Sequence, residues 1–347
     1  DTAGRCPAST AVFIALTTPS TPPELPSPEQ IVLRAGIDIP PFIAPRPATL
    51  FAERALRLRQ LAAGHALRDY LLLMAVVCEA LHERAQTQPT PEAPNANALA
   101  AAQISDQPLL LPRQGARLAH WRTGLRAALS QVLNKLPADS PARAAVQAVI
   151  ALPDATLEQQ ADRLLAGITL GLDLAAAPFI AAGLQLYWAQ WAAATAAAHP
   201  KAFDAPADRS RCPCCGSLPT ASITRSGQGF KGQRYLHCSV CSSQWRLEMV
   251  QCSHCGTHKD IRYQALQAAE ETGAPATRAA VEAETCEACH HYLKIVHQER
   301  NAHVEPVADD LATLTLDLLV SDAGYQRHGT NLLLLFGDSE PATPEPA

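Results

Sequence analysis

Nine of the eleven cysteines in this 347-residue chain lie between Cys212 and Cys289, and eight of them form four Cys-x-x-Cys pairs. The pairs are Cys212/Cys215, Cys238/Cys241, Cys252/Cys255 and Cys286/Cys289. Two intervening residues let a chain fold back and aim both sulfurs at one ion, and two such knuckles complete a tetrahedral S4 site of the kind zinc or iron accepts. The gaps between successive pairs are 22, 10 and 30 residues. The long gaps hold enough chain for a hairpin and the short one reads as a connector. The first knuckle is therefore expected to pair with the second and the third with the fourth, as two ribbons in tandem. A thioredoxin-type dithiol competes, but that chemistry expects one motif opening a helix in a βαβ unit. Sites closed by four thiolates leave no open coordination position, which argues against hydrolytic metal catalysis. The ligand set alone does not choose between the metals.

Several neighbours complicate the pattern. Cys214 inside the first knuckle reads as a spare exposed thiol rather than a substitute ligand. His254, His290 and His291 flank knuckles and could replace a cysteine, but with four thiolates per site they read as outlying or exposed residues. Gly216 and Gly256 follow their knuckles, where the backbone must bend toward sulfur; Ser242 and His290 fill the same positions in the other two. Cys6 and Cys78 stand alone. An odd total and tight pairs oppose a secreted disulfide scaffold and favour metal binding in a reducing compartment.

The elements that must hold these knuckles differ between the two parts of the chain. The first 200 residues are rich in Ala and Leu, which lose little on entering a helix. From Thr49, Phe51, Ala55, Leu58 and Ala62 share a face, with Arg54, Arg57 and Arg59 outside it or at its edge. A helix over Leu67–His82 follows, a Pro-broken loop over 86–97, and helices around 116–135, 141–151, 156–171 and 178–198. The uncharged run Leu174–Ala198 is long enough to cross a bilayer. Its Ala content, Pro178, Gly183, Gln185 and Gln190, and the stripe Ile180, Leu184, Tyr187 and Trp191 instead predict a helix buried in protein. After the Asp204–Asp208 linker, short alternating runs predict strands at Leu218–Thr224, Arg234–His237, Trp245–Val250 and Tyr292–Val296, the last half-buried. Gly227, Gly229 and Gly232 supply a turn between the first two. One closing helix is expected, with Val307, Leu311, Leu314 and Leu318 on one face and Asp309 and Asp310 near its positive end. Residues 17–28 are Pro-rich, and 337–347 have the composition of a disordered tail.

Charge and motif content narrow the function. A formal net charge of −5 gives no general attraction to nucleic acid or anionic membrane. A local excess of seven basic over three acidic residues across 208–260, near Phe230, Tyr235 and Trp245, would suit a zinc-ribbon nucleic-acid binder, but 261–300 reverses it with four basic against six acidic. No G-x-S-x-G, Walker loop or H-E-x-x-H is present in the sequence. His65 beside Gly64 reads as a cap or a buried hydrogen-bonding group. Residues 12–16 (VFIAL) are too few for a signal-peptide core, and with no targeting segment evident the expected compartment is the cytoplasm.

The strings CPCCGSLPTASI, RYLHCSVCSSQW, CSHCG, CEACHHYLKIVHQE and VEPVADDLATLTLD, in that order, closely resemble the formate dehydrogenase accessory protein family FdhE. The likeness extends through FAERALRLRQLAAGHALRDYL and APFIAAGLQLYW and so covers most of residues 40–336. Local departures are Cys214, Ala66 where the family tends to have Pro, and His290 where Gly is usual. The fold class expected is α+β: a Pro-rich N-terminal arm (1–45), an all-helical domain (46–205), rubredoxin-like modules at 206–251 and 252–302, a C-terminal helix and packing segment (303–336) and the tail (337–347). The resemblance implies an accessory factor, not an enzyme, for maturation of respiratory formate dehydrogenase in the cytoplasm. It implies that the protein binds the catalytic subunit of that molybdenum enzyme and holds two metal ions in rubredoxin-like S4 sites made by the eight paired cysteines. Iron is the metal the family suggests, with zinc the alternative. No nucleic acid or stable membrane insertion is expected, and a homo-oligomer is compatible with the sequence. The scaffold would be metal-stabilised and open to redox sensing. Trp245, Tyr292 and the Asp309–Asp310 pair are the candidate client contacts. A nucleic-acid binder and a thiol redox protein are the rival readings.

Overall fold

A computed structural model describes residues 12–17, 39–105, 107–111, 117–204, 208–227, 232–268 and 279–336. The Pro-rich stretch beyond residue 17, Cys6, Gly229, Phe230 and the C-terminal tail lie outside the described residues. Strand β1 (Val12–Thr17) contains the VFIAL run, and β2 (Phe42–Ile43) follows it in the sheet-forming set.

The helical region starts at α1 (Pro47–Leu61), where Pro47 occupies a first-turn position whose N–H has no partner to lose. Phe51, Ala55 and Leu58 are buried as their spacing predicts. Arg54 and Arg57, which the same spacing places outside or at the edge, are 0% and 8% exposed. Helix α2 (Arg68–Thr87) packs along α1. The turn between them has Gly64 at φ 69°. His65 Nδ1 accepts from the Leu67 N–H at 2.9 Å, which leaves Nε2 to donate to the Ala312 carbonyl at 2.8 Å. Helix α3 (Ala96–Ile104) is not visible to apolar periodicity because none of its residues is buried; the Asn95 side chain caps it by accepting from Ala98 N–H. Helices α4 (His120–Lys135), α5 (Ala142–Ala151) and α6 (Asp154–Ala166) follow. The sequence expectation carries α6 to residue 171, but Gly167 at φ 69° ends it.

Helix α7 (Ala177–Ala198) is the hub of this region. Ile180, Leu184 and Tyr187 are buried as the stripe predicts, and so are Phe179, Leu186 and Trp188 on other faces. The helix is surrounded because it packs against α1, α2, α4, α5 and α6. Gly183 permits the closest approach: a Cβ there would sit 3.0 Å from the Leu125 side chain of α4. Among the described residues no helix is long and apolar enough to cross a membrane.

The second part is one continuous sheet. Strands β3 (Pro219–Arg225), β4 (Gln233–Cys238) and β5 (Gln244–Leu247) form one antiparallel meander, and β6 (Ile261–Ala268), β7 (Val281–Cys286) and β8 (His291–His297) form a second. Parallel pairing of β3 with β8, Ile223 opposite Val296, fuses the two. The order is β1-β6-β7-β8-β3-β4-β5-β2, so β1 and β2 extend its two ends. The meanders are also tied by Arg234 of β4, which forms a bidentate pair with Glu284 of β7 at 2.8–2.9 Å. Its burial removes Arg234 from the basic surface that a nucleic-acid reading would use.

The single closing helix expected from the sequence is two helices, α8 (Pro306–Ala312) and α9 (Leu314–Asp322). Thr313 breaks the run, its hydroxyl donating back to the Asp309 carbonyl at 2.8 Å. The break changes the helical phase, so Leu318 is 57% exposed instead of facing the core with Val307 and Leu311. Strand β9 (Gln326–Arg327) then pairs with β8.

Strand β8 is buried on both faces rather than on one, because these helices cover the side that carries Lys294. Lys294 is wholly buried and reaches Asp317 Oδ2 at 2.6 Å and Asp310 Oδ1 at 3.0 Å. Arg327 joins both carboxylates and Asn331 donates to Asp310 at 2.8 Å. Burial alone would raise the Asp310 pKa, but Arg327 and Lys294 outweigh it and hold the carboxyl below its ordinary value. A carboxyl depressed in the folded state adds stability that is full above an unfolded pKa of about 4 and is lost as pH falls through the folded value. Asp310→Asn should therefore lower stability at pH 7 and flatten the acid limb of a chemical-denaturation series below about pH 4; an unchanged acid slope would count against this assignment.

Candidate metal centres

Each meander carries its knuckles in the same two places. One lies in the loop entering the first strand, before β3 or β6; the other forms the turn between the second and third strands. This brings Cys212, Cys215, Cys238 and Cys241 together, and Cys252, Cys255, Cys286 and Cys289 together, the pairing that the gap lengths predict. In all four knuckles the residue after the second cysteine takes a left-handed conformation: Gly216 and Gly256 at φ 75°, Ser242 at 58° and His290 at 53°. Ser242 and His290 thus adopt the bend that glycine favours, at a steric cost their side chains must bear. The bend turns amides inward: Val240 and Cys241 N–H reach Cys238 Sγ at 3.4 Å, and His254 and Cys255 N–H reach Cys252 Sγ at 3.4 and 3.5 Å.

The sulfur spacing fits a tetrahedral ion. Metal–sulfur bonds of about 2.3 Å imply sulfur–sulfur edges of about 3.8 Å. In the first cluster Cys212–Cys241, Cys215–Cys238 and Cys215–Cys241 are 3.5, 3.4 and 3.7 Å apart; in the second Cys252–Cys289 and Cys255–Cys286 are 3.7 and 3.8 Å apart. Burial pushes the Cys212 and Cys238 thiols well above their ordinary range. Burial would do the same to Cys241, but hydrogen bonds from Cys212, Cys214, Cys215 and Cys238 outweigh it and hold that thiol well below. A central cation is what lets all four become thiolates at once. Both clusters could therefore hold a metal ion.

The two differ in access. All four cysteines of the first cluster are buried, at no more than 1% exposure. Val240 and these cysteines pack in the same apolar core as α7, and Gln185 of α7 donates to the Ser239 carbonyl within the knuckle at 2.8 Å. Cys214 is buried too, contrary to the expectation of an exposed thiol, because its knuckle lies under residues 107–111; Leu110 N–H donates to its carbonyl at 2.9 Å. It does not join the four-sulfur group. In the second cluster Cys255 is exposed and Cys289 half-buried. A thiol reagent should modify Cys255 first, and a chelator should empty the second cluster at least about tenfold faster than the first, as read by mass spectrometry and metal release over time. Equal rates would contradict the difference in burial.

Three imidazoles flank the second cluster. His254 and His291 stack at 3.7 Å between ring centroids, and His328, which sequence reasoning misses, meets His254 edge-on at 5.2 Å. His291 Nδ1 contacts the Cys289 carbonyl at 2.8 Å and His328 Nδ1 contacts Ser253 Oγ at 3.0 Å. Ring nitrogens of His254 and His291 lie within 4.8 Å of Cys289 Sγ. They crowd one ligand without displacing it from the four-sulfur set. No local sequence signal points to His328, which arrives from the segment after β9.

The expected client contacts do not survive as surface features. Trp245 and Tyr292 are buried, the latter donating to Asp317 at 2.9 Å. Asp309 and Asp310 are buried in ion pairs. Asp309 binds Arg57 through both oxygens at 2.6–2.9 Å while also accepting from Glu305 N–H, and Glu305 in turn caps Ala308 N–H. Negative charge at a helix N-terminus is favourable, and here it doubles as the socket for the α1 arginines.

Comparison with known proteins agrees with this architecture over most of residues 39–334. The family models described as FdhE, N-terminal, FdhE, central domain and FdhE, C-terminal domain match residues 39–202, 211–248 and 250–334. The chain is 35% identical over 305 residues to the Protein FdhE homolog of Cronobacter sakazakii and to Protein FdhE of Salmonella enteritidis, covering 87% of this chain and 93% of each relative. The crystal structure of the FdhE protein from Pseudomonas aeruginosa aligns with a TM-score of 0.72 at 34% identity, over 86% of this chain and 100% of that one. The chain belongs to the formate dehydrogenase accessory protein family FdhE.

Proposed function

We propose that this protein is a cytoplasmic accessory factor for maturation of respiratory formate dehydrogenase, acting as a binding scaffold for the catalytic subunit and not as an enzyme. The observation that carries this reading is the pair of closed four-thiol clusters built into one sheet, in a chain of this family. Such sites favour fold stabilisation over substrate activation, because no coordination position stays open. Iron is the proposed metal at each cluster, held by the eight paired cysteines; when bound it supplies one-electron redox capability. The exposed second cluster is the proposed point of redox sensitivity, since Cys255 is accessible and the first cluster is sealed in the core.

The test is a tagged copy of the full chain, expressed in a formate-oxidising host lacking its own copy of the protein. The tagged chain should co-purify with the catalytic subunit, restore formate oxidation and carry two iron ions per chain. Normal formate oxidation without any copy would remove the maturation role. Zinc in place of iron on anaerobic purification would overturn the iron assignment alone.

A further inference from the structure

His254 and His291 line an open pocket of about 280 Å³ at the edge of the second cluster, and the four-sulfur site leaves both without a task. One ring nitrogen of each lies within 4.8 Å of Cys289 Sγ. Cys289 therefore belongs to two donor groups, the four sulfurs and a smaller set with the two imidazoles. Imidazole suits zinc and iron alike. His328 stands edge-on to His254 in the same pocket but outside the smaller set.

The stack shows that this smaller set is no third resident site. The two rings lie 6° from parallel with centroids 3.7 Å apart. A ring nitrogen binds a metal along its lone pair, in the plane of the ring, at about 2.0–2.1 Å. An ion in line with one ring is thus well out of the plane of the other. The pair offers alternative single bonds to an ion beside Cys289, which makes a stopover and not a closed site.

Position says what a stopover serves. Cys252 and Cys286 are buried, whereas Cys255 is exposed and Cys289 half-buried, so an ion reaches this cluster over the Cys255–Cys289 edge. His254 is exposed and His291 half-buried, both within reach of Cys289 on that edge. The sealed first cluster has no counterpart: among the described residues, no imidazole joins its sulfurs in a donor group. Of the two arginines in the pocket wall, Arg327 is neutralised by Asp310 and Asp317, and Arg211 is exposed to screening solvent, so neither bars a cation.

We propose that His254 and His291 are the entry port of the second cluster: they take a hydrated divalent transition-metal ion from solution and pass it to Cys289, and release follows the same path. In the hand-over the Cys289 sulfur–metal bond forms as the imidazole–metal bond breaks, the thiol proton leaves to water, and the metal keeps its oxidation state. The port rests on the second cluster holding a metal ion, as proposed above, and adds how the ion arrives.

The test is Co²⁺ uptake by the full chain after a chelator has emptied the second cluster. Stopped-flow absorption of the cobalt–thiolate bands gives the loading rate, and competition with a chelator gives the equilibrium affinity. The double variant His254→Phe with His291→Phe keeps two flat rings and all eight paired cysteines. It should load about tenfold or more slowly than the native chain yet bind with an affinity within about threefold of native, because a port lowers the barrier in both directions without moving the equilibrium. His254→Phe alone, at an exposed position, should slow loading about threefold or more, and it carries the test where the double variant does not fold. His258→Phe removes an exposed imidazole outside the donor set and should load at the native rate. Native-rate loading by the imidazole variants, equal slowing by His258→Phe, or weaker affinity at an unchanged loading rate would each overturn the port. A native chain that takes up no Co²⁺ at the second cluster would overturn the metal centre and the port with it.

Discussion

Cys238→Ser should lower the metal content from two ions per chain to one and remove most of the stability of the whole molecule, with a fall in melting temperature of more than about 10 °C or outright insolubility. The size follows from where the first cluster sits. Its four cysteines and Val240 belong to the same core as Leu184, Tyr187 and Trp188 of α7. A structural ion in a zinc-finger peptide contributes roughly 10–16 kcal/mol of apparent binding energy, whereas a whole domain is stable by only about 5–15 kcal/mol. Losing one ligand therefore weakens a term comparable to the net stability, in a core that both parts of the chain share. Cys255→Ala is the matched comparison. It should also release one ion, but its cluster contributes no cysteine to that core, so the melting temperature should fall by much less. Elemental analysis and scanning calorimetry on the two variants decide the matter. Equal losses of stability would mean that burial of the first cluster is not what couples it to the helices.

The cysteine sites are legible in sequence because a knuckle is a local device. Four residues set the turn, the left-handed residue after it completes the bend, and the gap lengths alone choose which knuckles meet. The helices are legible for a similar reason, since Phe51, Ala55 and Leu58, or Ile180, Leu184 and Tyr187, mark a face by spacing. What periodicity cannot register is a partner that arrives from far along the chain. Arg54 and Arg57 look like edge residues until Glu305 and Asp309 come in 251 and 252 positions later. Lys294 alternates with apolar neighbours and so looks solvent-facing, until α8 and α9 cover it with Asp310 and Asp317. The fusion of the two meanders is hidden in the same way, because parallel pairing of β3 with β8 joins segments about seventy residues apart and leaves no local mark. Cys214 looks free because its neighbours in sequence are ligands, while the residues that bury it lie near Leu110.

Arg54→Met should be the most damaging substitution outside the cysteines. Arg54 is wholly buried and joins four segments: it donates to Glu305 Oε1 at 3.1 Å, to Gln185 Oε1 of α7 at 3.2 Å and to Ser242 Oγ, beside the second knuckle, at 3.4 Å, all from α1. Methionine fills most of the volume but, among the described residues, leaves the Glu305 carboxylate buried with only the Ala308 amide to meet it. Removing one partner of a buried pair costs about 3–5 kcal/mol, which for a chain of this size is a fall of about 4–7 °C. The pH dependence separates this from a packing defect. Burial already raises the Glu305 pKa even with Arg54 present. Without Arg54 it rises further, so the folded variant binds a proton more tightly than the unfolded chain does. Stability then declines as pH rises above an unfolded carboxyl pKa of about 4.3, and the deficit against the native protein should be smaller at pH 5 than at pH 8. Arg54→Met combined with Glu305→Gln should recover much of the loss and remove that pH dependence, since the amide oxygen can still cap α8. A pH-independent deficit that the second substitution does not relieve would show that Arg54 acts through shape and its bonds to Gln185 and Ser242, not through its charge.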